Sequence, residues 1–131
     1  EQTAGLNAEL FNGKADVDLG NIPTNYDYVV ESQEPTADNG YTWYRKYKSG
    51  WVEQGGKLSG RSITFPIQFA LLPTLTTCTV NSDTNVVANN HISDIKTTGF
   101  DGFYQSMNAG WTGSARNMNG YWAAFGFAIQ E

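Results

Sequence analysis

The 131-residue chain is poor in charge, cysteine and histidine. Charged residues make up 16% of it, against about 25% in an average globular protein. The formal balance is −5, so no basic surface is expected to meet a phosphate backbone, and nucleic acid is not an expected partner. The one basic cluster, Arg45, Lys46 and Lys48, is interleaved with tyrosines and reads as a solvated strand face. The single cysteine, Cys78, excludes an intramolecular disulfide. It lies between Thr77 and Thr79 and reads as a small buried hydrophobe. The single histidine, His91, has only Asp94 near it in sequence, so neither a metal site nor a cofactor is expected. No apolar run approaches the ~20 residues of a membrane-spanning helix, so membrane insertion is not expected. The start Glu1-Gln2-Thr3 lacks the basic region of a secretion signal, as a processed fragment also would.

What the chain does have is aromatic residues and glycine. Trp, Tyr and Phe reach 14%, and 14 glycines break the sequence into short segments. Residues 1–27 carry no Trp and little periodicity; Leu6–Phe11 reads as a helical turn closed by Asn12-Gly13. From Tyr26 onward the pattern is β. Tyr28–Gln33, Tyr41–Tyr47 and Trp51–Gln54 read as strands, with Lys48-Ser49-Gly50 as a hairpin connection and Gly55-Gly56 as a closure. Ile63–Phe69 alternates most clearly, although Pro66 removes a ladder donor and points to an edge or a bulge. Leu75–Val80, Val86–Ser93, Asp94–Phe100 and Phe103–Met107 are further extended pieces, and Asn108–Gly120 reads as the longest loop. In Tyr121–Ile129 the odd positions face one way. Trp122, Ala124, Gly126 and Ala128 face the other, and the small residues among them would let another sheet or another chain approach closely. No 3.6-residue period is sustained, so an antiparallel sandwich or barrel is expected.

Catalytic constellations are not evident. Glu31, Glu34, Glu53, Asp83, Asp94 and Asp101 share no motif that would pair carboxylates for glycoside hydrolysis. No Gly-x-Ser-x-Gly elbow accompanies His91. The expectation is a protein without catalytic residues. Sugar binding suits the composition better, because aromatic rings stack on C–H faces while Asn and Arg bond hydroxyls. Asn108–Asn119 offers both through Trp111, Arg116, Asn108, Asn117 and Asn119. The other reading folds Trp111 back as a lid and uses the Asn and Gly residues as turns. Asn90 and His91, at the end of a second polar stretch, are weaker candidates.

Leu10–Leu19 resembles the shaft-end segments of phage and prophage tail fibres. Tyr28–Glu31, Trp43–Gly56, Ile63–Phe69 and Gly120–Phe127 resemble the C-terminal domain of those fibres, so the likeness spans nearly the whole chain. The resemblance implies a shaft or trimerisation segment over 1–27 and a tip domain over 28–131. It implies an H-type-lectin-like β-sandwich in each protomer of a homotrimer at the distal end of the fibre, extracellular when it acts. The expected partner is a bacterial surface glycan (lipopolysaccharide or capsule) or an outer-membrane receptor. A structural cap without its own ligand is the first alternative, and a glycan depolymerase the second. The matching motifs are framework strands, so no ligand residue is carried over by the likeness.

Overall fold

A computed structural model describes residues 26–80, 87–107 and 113–130. Nine strands occur among them: β1 (Val29–Gln33), β2 (Trp43–Tyr47), β3 (Trp51–Leu58), β4 (Ser62–Thr64), β5 (Thr74–Thr79), β6 (Val87–Ile95), β7 (Gly99–Met107), β8 (Gly113–Arg116) and β9 (Gly120–Phe127). The only helical element among the described residues is one 3₁₀ turn, Ala37–Asn39. Residues 1–25, with Leu6–Phe11 and Leu10–Leu19, lie outside the described residues.

The strands form two antiparallel sheets that pack together in a β-sandwich-like arrangement. The first has the order β1-β2-β3-β9-β5. The second has the order β4-β7-β6, and β8 pairs with β7 beyond the end of β4. The alternation of β9 decides how they meet. Trp122, Ala124 and Ala128 are buried, while Tyr121 and Phe127 are exposed. A Cβ at Gly126 would stand 3.0 Å from the Phe69 ring, so the small face of β9 does admit a second layer. Phe65 is the hub of the core, with ring centroids 5.2 Å from Phe69, 5.9 Å from Phe100 and 5.5 Å from Trp122. Val52, Leu58 and Met118 complete it. Each such side chain contributes about 1.5–3 kcal/mol through removal from water.

The structure corrects several expectations. Only Ile63 and Thr64 of the Ile63–Phe69 stretch are strand, as the end of β4, and Phe69 rejoins the first sheet through a single bridge to Ala128. The inward parity survives at Phe65 and Phe69, but Pro66 interrupts the ladder. The buried amide of Gln54 takes over there. Its Nε2 donates to the Ile67 carbonyl at 2.8 Å, and its Oε1 accepts from the Ile67 N–H at 2.9 Å. Gly55 and Gly56 do not close β3 but lie within it, because the Trp43 and Trp122 indoles occupy the space a side chain would need. Cys78 is exposed rather than buried, since it falls on the outward parity of β5. The stretch Asn108–Gly120 contains β8, which pairs with Tyr104–Met107. The break expected after Ser93 is a β-bulge between Ile92 and Asp94, within one strand.

Candidate functional site: an aromatic cleft on the five-stranded sheet

The outward face of the first sheet is built in cross-strand rows. Lys57, Tyr121 and Cys78 form one row. Trp43, Gly55, Ala123 and Thr76 form the next, and Arg45, Glu53, Phe125 and Thr74 the one after. The second row is low, because Gly55 and Ala123 contribute almost no side chain. The Trp43 indole lies over that floor; a Cβ at Gly55 would meet its Nε1 at 2.7 Å. Beside it opens a cleft of about 490 Å³, lined by Pro35, Tyr41, Trp43, Gly56, Lys57, Tyr121 and Trp122. Small-molecule sites typically enclose about 300–1,000 Å³.

The Glu34–Gly40 turn aims Tyr41 into the cleft. Thr36 and Asn39 form a reciprocal capping box, with Asn39 Oδ1 accepting from the Thr36 N–H at 3.0 Å and Thr36 Oγ1 from the Asn39 N–H at 3.3 Å. The Tyr41 N–H then donates to the Thr36 carbonyl at 2.8 Å, and Tyr41 adopts φ 61°. A non-glycine residue in this left-handed region costs on the order of 1–3 kcal/mol and persists only where its surroundings fix it. The Lys57 ammonium lies 5.8 Å from the Tyr41 ring centroid. Tyr121, 52% exposed, stands between this cleft and a smaller hollow of about 190 Å³ bordered by Thr76, Cys78 and Ala123. Stacking rings, a cation and a second hollow across one tyrosine suit an extended ligand with C–H faces.

The described residues among those expected from sequence fall elsewhere. Asn108 and Trp111 lie outside the described residues. Asn90 and Asn119 are brought together, but they stitch the two sheets. Asn90 Nδ2 donates to the Asn119 carbonyl at 2.7 Å, and the Asn119 N–H donates to Asn90 Oδ1 at 3.0 Å. Asn90 Nδ2 also reaches Thr79 Oγ1 at 3.0 Å, and Asn119 Nδ2 reaches the Val80 carbonyl at 2.7 Å. The Arg116 guanidinium covers the Tyr104 ring at 5.8 Å and donates to Ser106 Oγ at 2.6 Å. Asn117 is exposed. His91 pairs across strands with Phe103, with centroids 4.9 Å apart on the second sheet.

The described carboxylates among the catalytic candidates are engaged as well. Glu31 accepts from the Tyr44 hydroxyl at 2.7 Å, Glu34 pairs with Arg45 at 2.9 Å, and Glu53 accepts from Trp51 Nε1 at 3.4 Å. Asp94 and Asp101 share Lys96, at 3.4 and 2.7 Å. Lys96 first, then the Ser62 hydroxyl, holds Asp101 below the usual carboxylate range. A general acid needs the opposite shift. Asp83 lies outside the described residues, among which no group of three or more His, Cys, Asp or Glu is placed to hold a metal ion. No described helix is long and apolar enough to cross a membrane. The chain matches no protein-family model, no curated protein and no solved structure.

Tyr41, Trp43, Lys57 and Tyr121 were not singled out as a site from sequence. The parity of Tyr41 with Trp43 was visible there, but the row that sets Tyr121 beside Lys57 depends on β3–β9 pairing across 64 positions of chain (121 − 57).

Proposed function

We propose that this domain is the receptor-binding tip of a phage or prophage tail fibre, attaching the virion to a bacterial surface glycan as part of a homotrimer. The observation that carries the binding half of this reading is the cleft, where Tyr41, Trp43 and Tyr121 present ring faces beside a cation. Its position suits a tip. The Asp27 carboxylate accepts from Ser49 Oγ at 2.6 Å, and the Ala128 N–H donates to the Gly50 carbonyl at 2.8 Å, so both flanks of the domain meet at the β2–β3 turn. Tyr121 and Phe127 are six residues apart on β9, which puts the cleft about 20 Å from that end. A trimer multiplies a modest single-site affinity through avidity.

Adsorption of the purified protein to host bacteria tests this reading. A folded Trp43→Ala plus Tyr121→Ala variant is expected to lose adsorption, and light scattering is expected to give three chains per particle. Undiminished adsorption would remove the cleft from the account, and a monomer would remove the fibre.

A second reading, a structural cap that only closes the fibre, is favoured by one observation. Leu71, Leu72 and Phe127 are 80%, 67% and 55% exposed around a hollow shared with Trp51, on the half of the sheet towards the β2–β3 turn. Exposed apolar area of this kind marks contact surfaces. On this reading the cleft variant adsorbs like the wild type, and Leu71→Ser plus Leu72→Ser disrupts assembly.

A further inference from the structure

We propose that the cleft selects an acidic saccharide, with Lys57 receiving the carboxylate or phosphate of a sugar whose ring stacks on Trp43 or Tyr121. The inference rests on the glycan-binding reading above and names the class of sugar that reading would require.

Three observations carry it. The chain is acidic overall, with 13 Asp and Glu against 8 Lys and Arg, yet among the described residues the only charged one lining the cleft is Lys57. The one charge in the lining is therefore opposite in sign to the chain's net charge. Next, Lys57 has no carboxylate partner among the described residues. Its interaction is with the Tyr41 ring face at 5.8 Å, which holds an ammonium in place without neutralising it. The neighbouring cation, Arg45, is already paired with Glu34 at 2.9 Å and donates to the Gln33 and Tyr44 carbonyls. Finally, the capping box and the Tyr41 N–H bond to the Thr36 carbonyl hold the backbone at Tyr41 with φ 61°, which directs its side chain toward Lys57. Among the described residues Lys57 is thus the one cation lining the cleft, and it has no carboxylate partner there, so a hydroxyl-only sugar would leave its charge unused.

The test uses matched pairs of immobilised glycans: uronic-acid capsular polysaccharides with their carboxyl-reduced forms, and phosphorylated lipopolysaccharide core oligosaccharides with their dephosphorylated forms. The wild-type protein is expected to bind one acidic member about tenfold more tightly than its neutralised partner, a typical worth for a hydrogen bond to a charged group. Which pair shows the difference separates carboxylate from phosphate. Lys57→Gln is expected to abolish the preference, and with it the weakening by added salt. Trp43→Ala is expected to weaken both members of every pair. Equal wild-type binding to both members, with loss in Trp43→Ala, would overturn the charge inference and leave the cleft as a neutral-sugar site. Binding to none of the glycans would overturn the glycan reading itself.

Discussion

The side-chain amide of Gln54 pairs with both the N–H and the C=O of Ile67, at 2.9 and 2.8 Å. It gives Ile67 the hydrogen bonds a neighbouring strand would have supplied, from a side chain that is fully buried. Gln54→Leu keeps similar bulk and leaves two backbone groups unpaired. A loss of about 2–4 kcal/mol is expected, at roughly 1–3 kcal/mol per unsatisfied group. Urea unfolding checks it, and a loss below about 1 kcal/mol would mean that water or a backbone shift replaces the clamp.

Gly55 lets the Trp43 indole lie on the sheet. A Cβ there would stand 2.7 Å from Trp43 Nε1 and 2.5 Å from the Trp122 carbonyl oxygen. Gly55→Ala is therefore expected to displace Trp43, lower stability by about 1–3 kcal/mol as an overpacked site does, and weaken glycan binding in the folded fraction. Thermal unfolding and tryptophan fluorescence read the first two effects. Unchanged fluorescence and stability would show that the indole is not seated there.

Cys78 shares a row with Tyr121 and Lys57 and is exposed. In the assembled native protein it is expected to react with a thiol reagent at close to one equivalent per chain. Protection until denaturant is added would mean that another chain covers the cleft half of the sheet, and would remove the cleft as an open ligand site.

Hydrogen bonds to charged carboxylates predict an acid limit. Asp27 is held below the ordinary range chiefly by the Ser49 hydroxyl, then by the Ser49 N–H, and Asp101 chiefly by Lys96. Both pKa values are lowered in the folded state. Their contribution to stability is therefore fully present above the unfolded value near ~3.9, and it is lost as pH falls through the folded values. An Asp27→Asn plus Asp101→Asn variant is expected to show a flatter decline of unfolding midpoint between pH 5 and about 2.5 than the wild type. Parallel curves would contradict the assignment.

Local parity was legible in the sequence, and pairing across the chain was not. The alternation of Tyr121–Ile129 separated the two faces of β9 correctly, because a half-buried strand divides its side chains with a period of two. The same rule misjudged Ile63–Phe69, where parity persisted but the ladder passed from strand to the Gln54 amide. It also misjudged Cys78, since a threonine-rich strand does not declare which face is covered. The expected ligand residues followed side-chain chemistry alone. Asn90 and Asn119 have hydrogen-bonding groups suited to a sugar, yet they bind one another across the two sheets. The cleft stayed hidden because its rings come from β2, β9 and a left-handed turn, and only the register of the first sheet brings them side by side.

The four tryptophans allow the most direct test of the central claim, that glycan is bound on the aromatic cleft. Their indole N–H signals can be followed by ¹⁵N NMR while a host polysaccharide is titrated in. Binding on the cleft predicts that the Trp43 signal shifts first and saturates, that Trp51 stays still, and that Trp43→Ala abolishes the response. Saturating shifts at Trp111 with Trp43 unmoved would contradict it and return the site to the Asn108–Asn119 segment.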